Sequence, residues 1–260
     1  MKYLICLLLF CFAQICNAIV VPFSSEMIKT DTNRISGMQR IFPADQQALD
    51  LSTDCWIWHD GKNLFLYWEM GIDDSFEPGA FATRDDVQAS DYVRLQLKTI
   101  ANEDFAYYFS AFPRGSAFDA IRTETLQVDK AWNSFYDCTS SYNESLWTVV
   151  MTIPFRDLRF EGTPPYQWSF GLARQVQDTN SSYSNPFSPL ANRTPRQYFD
   201  SFEPLIINEK IDSPKSFYAI PYFYKSYDFL TEEDSFVPKH VGLNLVYRPS
   251  TNSSVKVAFN

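Results

Sequence analysis

Arg84-Asp85-Asp86 and Asp91 bring one guanidinium and three carboxylates into eight positions of a 260-residue chain. An arginine presents a planar fork of donors that can bracket two neighbouring oxygens, and carboxylates accept from hydroxyls, so this set has the chemistry to hold a polyol such as a sugar. The same carboxylates suit calcium, which collects oxygen ligands from clustered aspartates and backbone carbonyls; Asp85 and Asp86 are the candidates. A third reading is a solvated loop whose aspartates cap turns. Six tryptophans, at positions 56, 58, 68, 132, 147 and 168, supply rings on which the apolar face of a pyranose can stack. Aromatic residues dominate sandwich interiors, so most of these six are expected in the core. Trp132 follows Asp129-Lys130-Ala131 at a strand start and is the candidate for an exposed stacking platform. Cys55 and Cys138 either form one disulfide in an oxidising compartment or stand as two buried thiols. Metal binding by that pair is not expected, because no C-x-x-C spacing exists and His59 is the only histidine near either cysteine.

Other chemistries find little material. The chain has two histidines, His59 and His240, too few and too far apart in sequence to suggest a triad. It contains no Gly-x-Ser-x-Gly elbow, His-Glu-x-x-His, phosphate loop or dinucleotide fingerprint. A glycosidase needs two carboxylates about 5–9.5 Å apart across a cleft, and no motif here marks such a pair. Net charge is −9 with no basic stripe to track phosphates, so nucleic acid is not an expected partner.

The elements that must carry these residues can be read along the chain. Lys2, the apolar run Leu4–Phe12 and the small residue Ala18 have the layout of a secretory signal over residues 1–18. Residues 19–43, interrupted by Pro22, Gly37 and Pro43, read as an extended N-terminal segment. Then a period of two appears: two aromatic runs, 55–59 and 64–70, flank Asp60-Gly61-Lys62-Asn63 as a β-hairpin. Further short runs at 92–97, 105–112, 132–136, 146–153 and 167–174, with no long 3.6-residue pattern, predict an all-β fold, an antiparallel β-sandwich of jelly-roll-like form over 44–205. Pro154 should end a strand, with Phe155, Leu158 and Phe160 anchoring a turn against the core. The stretch 178–204, rich in Ser, Asn and Pro, reads as a boundary loop. Beyond it Tyr218, Ile220, Tyr222 and Tyr224 fall on one face, as do Leu243, Leu245 and Tyr247, and Val255, Val257 and Phe259. Membrane-barrel strands and ordinary sheet strands both show that pattern.

Asp60–Tyr67, Thr83–Asp86, Asp91–Leu97, Ala106–Phe109, Pro113–Ser116 with Asp119, Trp132, Trp147, Ile153–Phe160 and Trp168–Arg174 resemble the family-9 carbohydrate-binding module. The form resembled stands N-terminal to a bacterial outer-membrane β-barrel family, and Ser216–Tyr222 and Val241–Tyr247 look like the first strands of that barrel. The resemblance implies an exported, non-catalytic carbohydrate-binding module of the Gram-negative envelope, located in the periplasm, outer membrane or cell surface. It also implies structural calcium as an optional cofactor, and residues 206–260 as an incomplete barrel, since closure takes at least about eight strands. Two alternatives accompany it: an interaction domain that caps a barrel and binds no sugar, and an accessory domain to O-glycosyl hydrolases in carbohydrate catabolism. The site residues expected are Trp132, Arg84, Asp85, Asp86 and Asp91.

Overall fold

The computed structural model describes residues 18–81, 83–86, 89–190, 193–212, 216–224, 240–250 and 253–259. Apart from Ala18, the expected signal segment lies outside the described residues. The described residues form seventeen strands: β1 (Ile19–Val20), β2 (Arg34–Ile35), β3 (Gln39–Phe42), β4 (Thr53–His59), β5 (Asn63–Gly71), β6 (Tyr92–Lys98), β7 (Ala106–Ala111), β8 (Ala117–Arg122) and β9 (Val128–Asp129). Then come β10 (Asp137–Tyr142), β11 (Leu146–Pro154), β12 (Tyr166–Val176), β13 (Ser181–Asn185), the helix α1 (Pro195–Phe199), β14 (Glu203–Ile207), β15 (Ser216–Tyr224), β16 (His240–Ser250) and β17 (Ser253–Phe259).

Two sheets make the sandwich. The first runs β1-β14-β12-β6-β7-β8-β9, with β13 joined to β12 and β3 joined to β13; the second runs β10-β11-β5-β4-β2. The expected all-β antiparallel sandwich is the architecture found, with β1 on β14 as a parallel pair. Alternation explains the layering, because successive side chains in a strand point to opposite faces. On β5, Leu64, Leu66, Trp68 and Met70 are buried, and their neighbours on β11, Trp147, Val149, Met151 and Ile153, are sealed with them. The opposing sheet contributes Val93, Leu95, Leu97, Phe109, Phe170 and Leu172 to the same core. Each such side chain stabilises the fold by roughly 1.5–3 kcal/mol. The β4–β5 turn closes as the sequence predicts: Asp60 Oδ1 accepts from the amides of Lys62 and Asn63 at 2.8 and 2.7 Å, and Gly61 takes φ +86°. Pro154 does end β11, and Phe155, Leu158 and Phe160 pack into the core.

Three segments depart from expectation. Residues 19–42 hold a 3-10 turn, Asp31–Asn33, between short strands that join both sheets, so the sandwich begins before residue 44. The supposed boundary loop holds β13 and α1. Strand β13 has no local signal, because Ser181-Ser-Tyr-Ser-Asn185 lacks apolar alternation and depends for its pairing on the edge of β12. Helix α1 is short but capped: Thr194 Oγ1 accepts from Gln197 N at 3.3 Å, and Gln197 Oε1 accepts from Thr194 N at 3.0 Å. Finally, β15-β16-β17 form an open three-stranded sheet, and no closed barrel exists among the described residues. Its register pairs Phe217 with Tyr247 and Val255, and Ala219 with Leu245 and Val257. Phe217 and Ala219 therefore share the apolar face of Leu245, Tyr247, Val255 and Val257.

Candidate functional site

Arg84, the centre of the predicted polar constellation, points into the protein. Its Nη1 donates to Tyr136 O at 2.8 Å, and its Nη2 donates to Ser134 O at 3.1 Å and to Asp119 Oδ1. Asp119 sits on the inward face of β8 with its side chain 0% exposed, and its other oxygen accepts from Ser134 N at 2.7 Å. Burial pushes the Asp119 carboxyl above its ordinary value, against the pull of Arg84 and the Ser134 amide. Arg84 thus staples the 72–91 loop and β8 to the 134–136 segment that leads into the second sheet. Asp85 stands at φ +65°, a left-handed conformation that aspartate tolerates. Its amide donates to Ala117 O at 3.0 Å and its Oδ1 accepts from Asp119 N at 3.3 Å. Gly79, in the same loop at φ +66°, cannot be replaced freely, since a Cβ there would meet Ser90 Cβ at 2.6 Å.

The remaining expected site residues scatter. Asp91 lies apart from Arg84: its Oδ1 accepts from Gln177 N at 2.9 Å, burial raises its carboxyl to about 6, and Arg174 opposes that rise. Arg174 projects between the sheets to Thr53 Oγ1 at 2.6 Å and Gly71 O at 2.8 Å, with burial lowering its guanidinium to about 10. Trp132 is not an exposed platform. It is 9% exposed, and its ring packs 4.9 Å from Tyr107 and 5.8 Å from Phe109, because the 130–136 segment folds across the open end of the core. For calcium, no three acidic, cysteine or histidine side chains converge among the described residues, and the Arg84 guanidinium lies 3.9 Å from Asp85 Oδ2, where its charge opposes a cation.

The disulfide is corrected as well: Cys55 and Cys138 are both free. They occupy β4 and β10, with β5 and β11 between them. Three strand spacings of about 4.8 Å exceed the reach of a disulfide, whose Cα atoms stand about 4.4–6.8 Å apart. Burial pushes the Cys138 thiol up to about 11.

The outward face of the second sheet carries an aromatic surface. Trp56 on β4 pairs directly with Tyr67 on β5, ring centres 5.9 Å apart and inclined by 34°. The next pair on that side, Trp58 and Phe65, stacks at 5.3 Å and 14°, with Trp58 itself covered to 4% exposure. Lys29 Nζ lies over both rings of the first pair, 4.7 Å from Trp56 and 4.2 Å from Tyr67, and bonds Glu69 at 2.6 Å. Arg34 and Asp54 form a two-pronged ion pair, both contacts 2.9 Å, at the edge of Trp56. On β11 the outward neighbours are Thr148, Val150 and Thr152, so short side chains border the rings. Although burial works against its charge, Glu69 and Tyr67 hold the Lys29 ammonium above its usual pKa. An exposed ion pair contributes about 0–1 kcal/mol and a surface cation–π contact about 0.5–1 kcal/mol, so Lys29 is a displaceable cover.

This surface combines flat rings with two carboxylates and two cations, the donor and acceptor mixture that hydroxyl-rich ligands require. Its signal was present in the sequence: period two sets Trp56 and Trp58 opposite the inward Cys55 and Ile57, and the tight Asp60 turn brings Tyr67 and Phe65 beside them. A separate cavity of about 440 Å³ lies between Ser134, Phe135 and Asp157 and the Asn244 and Ala258 side of the tail sheet. Arg156 already covers the Phe135 ring there at 5.2 Å.

Neither a protein-family model nor a curated protein matches the sequence. Among solved structures, the chain is similar to a protein from Bacteroides uniformis for which carbohydrate binding is proposed: TM-score 0.55 and 12% identity, covering 74% of this chain and 99% of that one. A family-9 carbohydrate-binding module from Caldicellulosiruptor kristjanssonii, solved with cellotriose, gives 0.47 at 14% identity over 74% of this chain and 93% of that one. The same organism's module with glucose gives 0.45 at 13%, over 74% and 95%. At these identities the likeness is one of fold. The chain has the β-sandwich fold of the Bacteroides protein over about three quarters of its length.

Proposed function

We propose that this protein is a non-catalytic carbohydrate-binding module that takes a sugar ring on Trp56 and Tyr67. The observation that carries the reading is this outward Trp–Tyr pair, flanked by Glu69, Asp54, Lys29 and Arg34 on a sandwich of matching fold. A pyranose stacks its C–H face on the rings, displaces Lys29, and directs hydroxyls to the two carboxylates. Titrating a panel of neutral oligosaccharides while following tryptophan fluorescence tests it. Binding should appear with at least one member and vanish in Trp56→Ala, while Trp132→Phe retains it. A response that persists in the Trp56→Ala, Tyr67→Ala double variant sinks the assignment.

The module is exported and works at the cell envelope in this proposal, supported by the signal-like layout of residues 1–18. The tail sheet favours an added role as a membrane contact. Phe217, Val255, Val257 and Phe259 are exposed on its apolar face, more than a soluble sheet usually shows in one patch. Flotation with phospholipid vesicles should carry the full chain upward and leave a Phe217→Ser, Val257→Ser, Phe259→Ser variant behind. Full-chain protein remaining at the bottom of the gradient argues for a protein partner on that face.

A further inference from the structure

The opposite side of the sandwich, the outer face of the first sheet, holds a second arrangement. Arg94 of β6 and Arg122 of β8 flank Tyr108 of β7, their guanidinium carbons 5.0 and 4.8 Å from the centre of the same ring. Arg94 also lies 4.6 Å from the Tyr92 ring. The phenol of Tyr108 shares a hydrogen bond of 2.7 Å with the Tyr198 hydroxyl, which donates in turn to Gln96. The rings are therefore fixed from beneath by the sheet and from the side by α1.

Stacking occupies the flat face of a guanidinium and leaves its in-plane N–H edge for a planar oxyanion. Arg94 uses Nε on Ser110 Oγ at 2.8 Å, and its two terminal nitrogens have no hydrogen-bond partner among the described residues. Arg122 donates through Nη1 to Leu126 O at 2.7 Å, while its Nε is buried without a partner. None of the ion pairs among the described residues includes either arginine. Asp104 and Asp200 act on Lys98, farther along β6. Two unpaired guanidinium groups on one ring repel each other, and a chain of net charge −9 has carboxylates enough to pair them. Their lack of a carboxylate partner leaves a place for an external one.

We infer that Arg94 and Arg122 form a binding site for an acidic oligosaccharide, each guanidinium pairing with the carboxylate of one uronic acid unit on either side of the buried Tyr108 ring. The choice of a sugar acid as ligand rests on the carbohydrate-binding reading above; the anion geometry does not. The test is calorimetric titration of the full chain with oligogalacturonate, with the neutral galactose oligomer of equal length, and with inorganic sulfate. Oligogalacturonate should bind and the neutral oligomer should fail at this site. Arg94→Gln or Arg122→Gln should weaken binding at least about tenfold, and Arg94→Lys, which keeps the charge and loses the fork, should fall between. Raising salt from 50 to 300 mM should weaken it further, as expected for a charge contact. Trp56→Ala should leave this titration unchanged, which separates the two faces: loss of neutral-sugar binding alone defeats the platform reading and leaves this site standing. Sulfate binding as tightly as the oligomer would reduce the site to a general anion clip and overturn the sugar-acid assignment. Unchanged oligogalacturonate affinity in the Arg94→Gln, Arg122→Gln double variant, or no binding by the wild type, overturns the site itself.

Discussion

Replacing Arg84 with methionine tests whether the predicted constellation is a ligand contact or a structural staple. The substitution removes the partner of a carboxylate whose side chain is 0% exposed, while Arg84 itself is 37% exposed. Breaking a fully buried pair costs about 3–5 kcal/mol, and partial solvent screening of Arg84 reduces that to roughly 2–3 kcal/mol. Losing the bonds to Ser134 O and Tyr136 O adds about 1 kcal/mol, because water can replace some of them. With roughly 3–4 kcal/mol lost, and about 2–4 °C per kcal/mol at this chain length, the melting temperature should fall by about 6–16 °C at pH 7. Acid should relieve the deficit. Without Arg84 the Asp119 carboxyl rises further above its unfolded value, so the folded variant binds a proton more readily than the unfolded one. Its stability is then fully present at low pH and declines as pH rises through the folded pKa. The Arg84→Met, Asp119→Asn double variant should recover at least about 1 kcal/mol relative to the sum of the singles. Urea unfolding and calorimetry at pH 7 and pH 4 measure all of this. A single variant that melts with the wild type yet loses glycan binding would refute the staple and restore Arg84 to the ligand.

Three further outcomes follow from the buried groups. Asp91, raised to about 6 from an ordinary value of 3.8, contributes stability that is present below pH 4 and lost as pH climbs to 6. The stability of the wild type minus that of Asp91→Asn should therefore drop by up to roughly 3 kcal/mol between pH 4 and pH 7 in paired urea titrations; a flat difference would show that Arg174 compensates the charge. His59 behaves with the opposite sign: burial depresses its imidazole below 6.5 despite Glu209, 3.1 Å away, and Asp60. Its contribution is present above about pH 6.5 and fades as pH falls below it, so His59→Phe should flatten the stability slope from pH 7 to 5. Thiol titration should find Cys55 and Cys138 unreactive in the folded protein and both reactive in urea without reductant, whereas one missing thiol pair would contradict the strand order.

How much of this was legible follows from particular residues. Asp60-Gly61-Lys62-Asn63 dictates a tight turn by local chemistry, and alternation on either side dictates strands, so the β4–β5 hairpin needed no distant partner. Ser181–Asn185 had no such signal, since its strand exists only through the edge offered by β12. Trp132 and Trp56 show the same divide among aromatics. Period two told which residues share a face, but which face water reaches depends on what other segments cover.

By itself the sequence determined that the chain alternates, turns and layers into an antiparallel sandwich, because those properties reside in neighbouring residues and their backbone preferences. Only the tertiary structure decided the roles of individual side chains. It drew Arg84 inward to a carboxylate 35 positions away, sealed Trp132, parted the two cysteines by two strands, and left Trp56 with Tyr67 facing out. Each of those outcomes depends on sheet order and on the burial of groups remote in sequence, where desolvation and pairing are set by neighbours that no local window contains.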